Sequence, residues 1–97
     1  MNNAPDPIAA ALAAPEPPAG WPPAAQALFW DAQGAWERAH ALVADIDGDE
    51  AAWVHAYLHR REGDVGNARY WYARAGRPES RVSLDQERRA ILSALVA

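Results

Sequence analysis

Cysteine, lysine and threonine are all absent from the 97 residues. Without cysteine, neither a disulfide nor a thiolate metal site is available, and a small core must hold by packing. That is compatible with a reducing cytoplasm. No alternating run of β-branched residues occurs, which removes the usual signal for a strand. There is no glycine-rich phosphate loop. Serine is confined to Ser80, Ser83 and Ser93, none in a nucleophile-elbow context. No pair of carboxylates lies in an apolar setting. Together these absences argue against an enzyme.

What is present is a helical vocabulary. Five tryptophans and three tyrosines supply burial to a short chain, since each buried aromatic removes about 150–250 Å² from water. Charge is uneven: residues 1–50 carry eight acids and only Arg38, giving −7, whereas residues 51–97 carry five acids and eight arginines, giving +3. A basic half that weak does not support nucleic-acid binding. Residues 1–20, rich in proline and alanine, read as a disordered tail with a transient turn at Ile8–Ala14. The run Ile8–Ala14 is preceded by Asp6 and by no basic residue, so neither a signal peptide nor a membrane span is expected.

Residues 21–97 then read as one all-α domain of five helices. Trp21-Pro22-Pro23 opens the first, with Ala25, Leu28, Phe29 and Ala32 on one stripe and Gly34 ending it. The second spans about Ala35–Ala44, with His40 at the margin of its apolar face. Asp49 is placed to cap the third, which runs to about Arg61. Gly63 stops it, and Asp64 caps the fourth, where Ala68, Trp71, Tyr72 and Ala75 form the buried stripe. Gly76 and Pro78 end that helix. Ser83 and Gln86 form a capping box for the last helix, whose stripe is Leu84, Ile91, Leu92 and Leu95.

The two helix pairs match at an offset of 29 residues, the difference between Gly34 and Gly63. Ala27 falls on Ala56, Ala39 on Ala68, and Leu42-Val43 on Trp71-Tyr72. One such hairpin cannot bury its own apolar face, so two stack and a final helix covers the open end. The run Gly63-Asp64-Val65-Gly66-Asn67-Ala68, with Tyr70-Trp71-Tyr72 and Arg74-Ala75-Gly76, resembles the second helix of tetratricopeptide-type repeats, the Sel-like variant in particular. Trp36-Glu37-Arg38-Ala39-His40 and the stretches Ala52–Asp64 and Asn67–Pro78 are also similar to sequences of a group of small bacterial proteins with no assigned activity. The repeat resemblance implies two tandem hairpins plus a capping helix. It also implies a concave face that binds a protein or peptide.

On that resemblance the first helix of each pair lines the groove, which would present Gln26, Trp30, Gln33, His55, His59 and Glu62. Trp30 is the natural anchor, because tryptophan is enriched at binding hot spots. His55, His59 and Glu62 also fall within about 60° on a helical wheel. Two imidazoles one turn apart, with a carboxylate one turn on, suit Zn²⁺, Ni²⁺ or Cu²⁺. The glutamate that a zinc protease needs after its first histidine is Ala56, which removes that chemistry. The plainer alternative is that these residues are the helix's solvated face, and His40 is a further candidate ligand. Asp45–Glu50 resembles a calcium loop, but Glu50 stands where glycine is required and Ala56 where the bidentate glutamate belongs. Tyr70, Arg74 and Arg77 read as a solvated face. A homodimer is a further expectation for so small and aromatic a domain.

Overall fold

The computed structural model describes residues 6–96, all six of whose regular elements are α-helices. They are α1 (Pro7–Leu12), α2 (Pro23–Ala32), α3 (Trp36–Ala44), α4 (Asp49–Glu62), α5 (Val65–Ala75) and α6 (Leu84–Val96). Residues 1–5 and 97 lie outside the described residues, and with them part of the expected tail. None of the described helices is long and apolar enough to cross a membrane.

Local chemistry accounts for most of the boundaries. Gly63 and Gly76 close α4 and α5 in the left-handed conformation, at φ 88° and 69°, which a side chain would resist. Ser83 and Gln86 exchange two hydrogen bonds at 3.1 Å each, the reciprocal cap expected for α6. The cap of α4 differs from expectation. Gly48, at φ 113°, holds the cap position, and Asp49 is the first helical residue. Both Asp49 and Glu50 then lie in the first turn, where the helix dipole favours negative charge. The segment around Ile8 differs too. Asp6 accepts from the backbone N–H groups of Ile8 and Ala9, Pro7 starts α1, and Ile8 is buried.

The helices pair as α2 with α3 and α4 with α5, and α4 is the hub, touching α2, α3, α5 and α6. Leu28, Phe29, Val43, Val54, Tyr57, Leu58, Ile91 and Leu92 are fully enclosed. The last helix does not cover the open end of the stack. It lies across α2 and α4 together, with α1 beside it, and reaches α5 through a hydrogen bond from Tyr72 to Glu87.

Two buried carboxylates fix that arrangement. Asp31 on α2 is 1% exposed. Its Oδ2 accepts from the Tyr57 hydroxyl at 2.6 Å and from Arg88 on α6 at 3.3 Å. Arg61 Nε lies 3.0 Å from Oδ1, a charge contact without an aligned hydrogen bond. Glu87 on α6 accepts from Arg60 at 2.8 Å and from Tyr72. Adjacent arginines of α4 therefore serve one carboxylate on α6 and one on α2. Burial, then the hydrogen bond to Asp31, pushes the Tyr57 hydroxyl well above its ordinary range, so it stays a donor.

Replacing Asp31 by alanine leaves the buried Tyr57 hydroxyl without its acceptor and takes the buried carboxylate away from Arg61 and Arg88, of which Arg88 keeps Asp85. Breaking a buried ion pair from one side costs about 3–5 kcal/mol. We expect a loss of that order for Asp31→Ala in urea denaturation. A loss below about 1 kcal/mol, the value of a surface pair, would remove Asp31 from this role.

Candidate metal centre

Four helices enclose the middle of α4, and the polar residues of its central turns are shut off from solvent while those at its ends are exposed. His55 and His59, one turn apart, face α3 and α5 instead and are each 6% exposed. His40, on α3, meets them there. The chain contains three histidines, and all three are in this cluster.

Ring centroids are 4.7 Å apart for His40 and His55, 5.2 Å for His40 and His59, and 4.9 Å for His55 and His59. One potential ligand nitrogen from each lies within 4.8 Å of the others. The Nε2 atoms of His40 and His55 are 2.9 Å apart, a hydrogen bond between opposite tautomers. Two nitrogens on one tetrahedral zinc ion would stand about 3.3 Å apart, given Zn–N bonds near 2.0–2.1 Å. The contact is therefore a few tenths of an ångström shorter than the spacing of a ligand pair.

The cluster is walled by tryptophan. Trp36 stacks on His40 at 4.9 Å and is itself pinned by a 2.7 Å hydrogen bond from its indole N–H to the Leu58 carbonyl. Trp71 of α5 stacks on His55 at 3.9 Å. Glu62 Oε2 lies 2.6 Å from His59 Nδ1, which leaves Nε2 of His59 free for the cluster. A carboxylate on the far nitrogen of an imidazole fixes its tautomer and raises its basicity as a ligand. Burial first, then the neighbouring His40 and His59, lowers the pKa of His55 to about 4. Its imidazole is therefore neutral at pH 7, the state a metal requires.

The structure redistributes the residues singled out from sequence. His55 and His59 come together, but they are interior, with His40 as their third member. Glu62 stands behind His59 and does not share a ligand set with His55. Its own potential set is His59, Glu62 and Asp64, with both acids exposed. Gln26 and Gln33 are engaged by the N-terminal segment, donating to the Trp21 and Leu12 carbonyls at 2.8 and 2.6 Å. The Arg38 guanidinium lies 3.7 Å over the Trp30 ring. Those six residues do not share one open surface. His40 carried one usable signal in the sequence, its place among so few histidines.

No family model matches the chain, and neither a curated protein nor a solved structure matches it.

The depressed His55 pKa makes stability depend on pH. The unfolded chain takes up a proton near pH 6.5, whereas the folded one resists until about 4. The stabilisation is thus complete above pH 6.5 and lost as pH falls toward 4, amounting to about 3 kcal/mol at most. Comparing wild type with His55→Gln by denaturation at pH 7.5 and 4.5 isolates it. The wild type should lose more stability than the variant, and equal losses would contradict the assignment.

Proposed function

We propose that this chain is a small helical binding protein for one first-row divalent ion, Zn²⁺ or Ni²⁺, held by His40, His55 and His59. The supporting observation is the convergence of all three histidines in one buried, aromatic-walled cluster. Nitrogen-only donors suit zinc, nickel and copper(II) better than magnesium or calcium, which take oxygen. Glu62 acts from outside, as the positioning residue for His59. The ion would join α3 to α4, and hence the first hairpin to the second. We read the chain as a cytoplasmic binding protein and not an enzyme.

A second reading, an interaction module or homodimer built on tetratricopeptide-like hairpins, is favoured by the outward side of α5. There Tyr70 is 54% exposed, and no described helix other than α4 packs on α5 along its length. That surface replaces the concave face as the place where a protein or peptide would be sought.

Calorimetric titration of tag-free protein with Zn²⁺ and with Ni²⁺ tests the metal reading. We expect one ion per chain, loss of binding in His40→Ala, and binding weakened about 10–100-fold in Glu62→Gln. Circular dichroism checks that each variant is folded. Unchanged binding in a folded His40→Ala variant would refute the three-histidine site and leave His59 with the exposed Glu62 and Asp64 as ligands.

A further inference from the structure

We infer that the three-histidine centre leaves one coordination position open and that a small monoanion binds there, an inference that rests on the metal reading above. Among the described residues, the ligand atoms that converge on this cluster are three imidazole nitrogens. A tetrahedral ion needs a fourth ligand, and a site with three protein ligands takes it from outside. Glu62 does not supply it. Its carboxylate is held at Nδ1 of His59, across the ring from the nitrogen left for the ion. The tryptophan walls do not supply it either, since they present ring faces to the histidines and the Trp36 indole N–H is already donated to Leu58.

A surface cleft reaches the tryptophan wall of the cluster. A cleft of about 220 Å³ is lined by Ala44, Asp47, Asp49, Ala52, Trp71 and Arg74, among others. Ala44 lies one turn beyond His40 on α3, and Ala52 lies one turn before His55 on α4. Trp71 is both a wall of the cleft and the ring stacked on His55. The cleft therefore ends at the seam between α3 and α4 beside Trp71, the ring that covers His55, and a ligand of a few atoms would enter past that ring.

Charge selects the kind of ligand. Three neutral imidazoles leave the double positive charge of the ion uncompensated, with two of the three rings 6% exposed. Uncompensated buried charge is costly, so an anion is preferred to a neutral ligand. Asp47 and Asp49 favour the arrival of the cation and repel anions, the more so the higher their charge, so a monoanion is the anion least opposed, and Arg74 offers it an attractive contact.

Cobalt(II) replaces zinc in nitrogen sites and gives visible bands that report ligand number and identity. The full chain is loaded with Co²⁺ and titrated with azide. The expected result is a saturable shift of the bands. Ala44→Leu, at an exposed helical position on the cleft wall, should weaken azide about tenfold while Co²⁺ affinity is unchanged. Cobalt bands that azide does not move would overturn the open position. Azide-insensitive bands together with a doubling of mass would assign the fourth position to a second copy, which also overturns it. An undiminished azide response in Ala44→Leu would overturn the route through the cleft. Absence of cobalt bands and of calorimetric zinc binding would instead fail the metal reading itself.

Discussion

The contact on which the rest depends is the buried carboxylate of Asp31, shared by Tyr57, Arg61 and Arg88. It ties α2 to α4 and to α6 inside the core, at a point where an unpaired charge would be intolerable. Its counterpart, Glu87 with Arg60 and Tyr72, ties α6 to α4 and α5. Apolar packing among alanine-rich helices tolerates sliding, because small side chains interlock weakly. Directional charged hydrogen bonds do not, and here they set which faces meet.

The histidines lie on the sides of α4 that this tie leaves to α3 and α5. Once α6 is held across α2 and α4, α4 has neighbours on nearly every side, and the His55–His59 face closes onto α3 and α5. Imidazole is one of the few polar groups that such an interior accepts, since it can remain neutral and exchange hydrogen bonds with another imidazole. Once the proton between His40 and His55 is given up, one nitrogen of each ring lies close enough to the others to share an ion. A structural tie and a metal site are thus alternative uses of one geometry, and Glu62 at the back of His59 is the feature that suits the second use more than the first. A carboxylate there orients the ring toward the cluster, which a purely structural histidine pair does not need.

Much of the architecture was legible in the sequence, because the signals for it are local. The all-α class, the Gly63 and Gly76 stops and the Ser83–Gln86 cap each depend on residues within one turn of the effect. The helical hairpins followed from apolar spacing. The site was legible only in part. A helical wheel assigns His55 and His59 to a polar face and infers solvent beyond it, but α4 has no solvent face along most of its length. Whether a polar stripe meets water or another helix depends on contacts such as Arg88 with Asp31, separated by 57 residues. His40 belongs to a different helix, so no spacing rule joins it to the pair. The N-terminal turn became a docked helix for a similar reason. Ile8 finds an apolar seat, and Asp6 finds Arg89 at 2.6 Å on α6, a partner that no local pattern indicates.

The central claim is that three imidazoles from two hairpins hold one ion, and zinc-edge anomalous diffraction from crystals grown with Zn²⁺ tests it most directly. A single anomalous peak about 2.0–2.1 Å from nitrogens of His40, His55 and His59, with Glu62 still on His59 Nδ1, is the predicted result. A peak coordinated by Glu62 and Asp64 at the surface, or no peak beside a His40–His55 hydrogen bond that persists in saturating zinc, would contradict it.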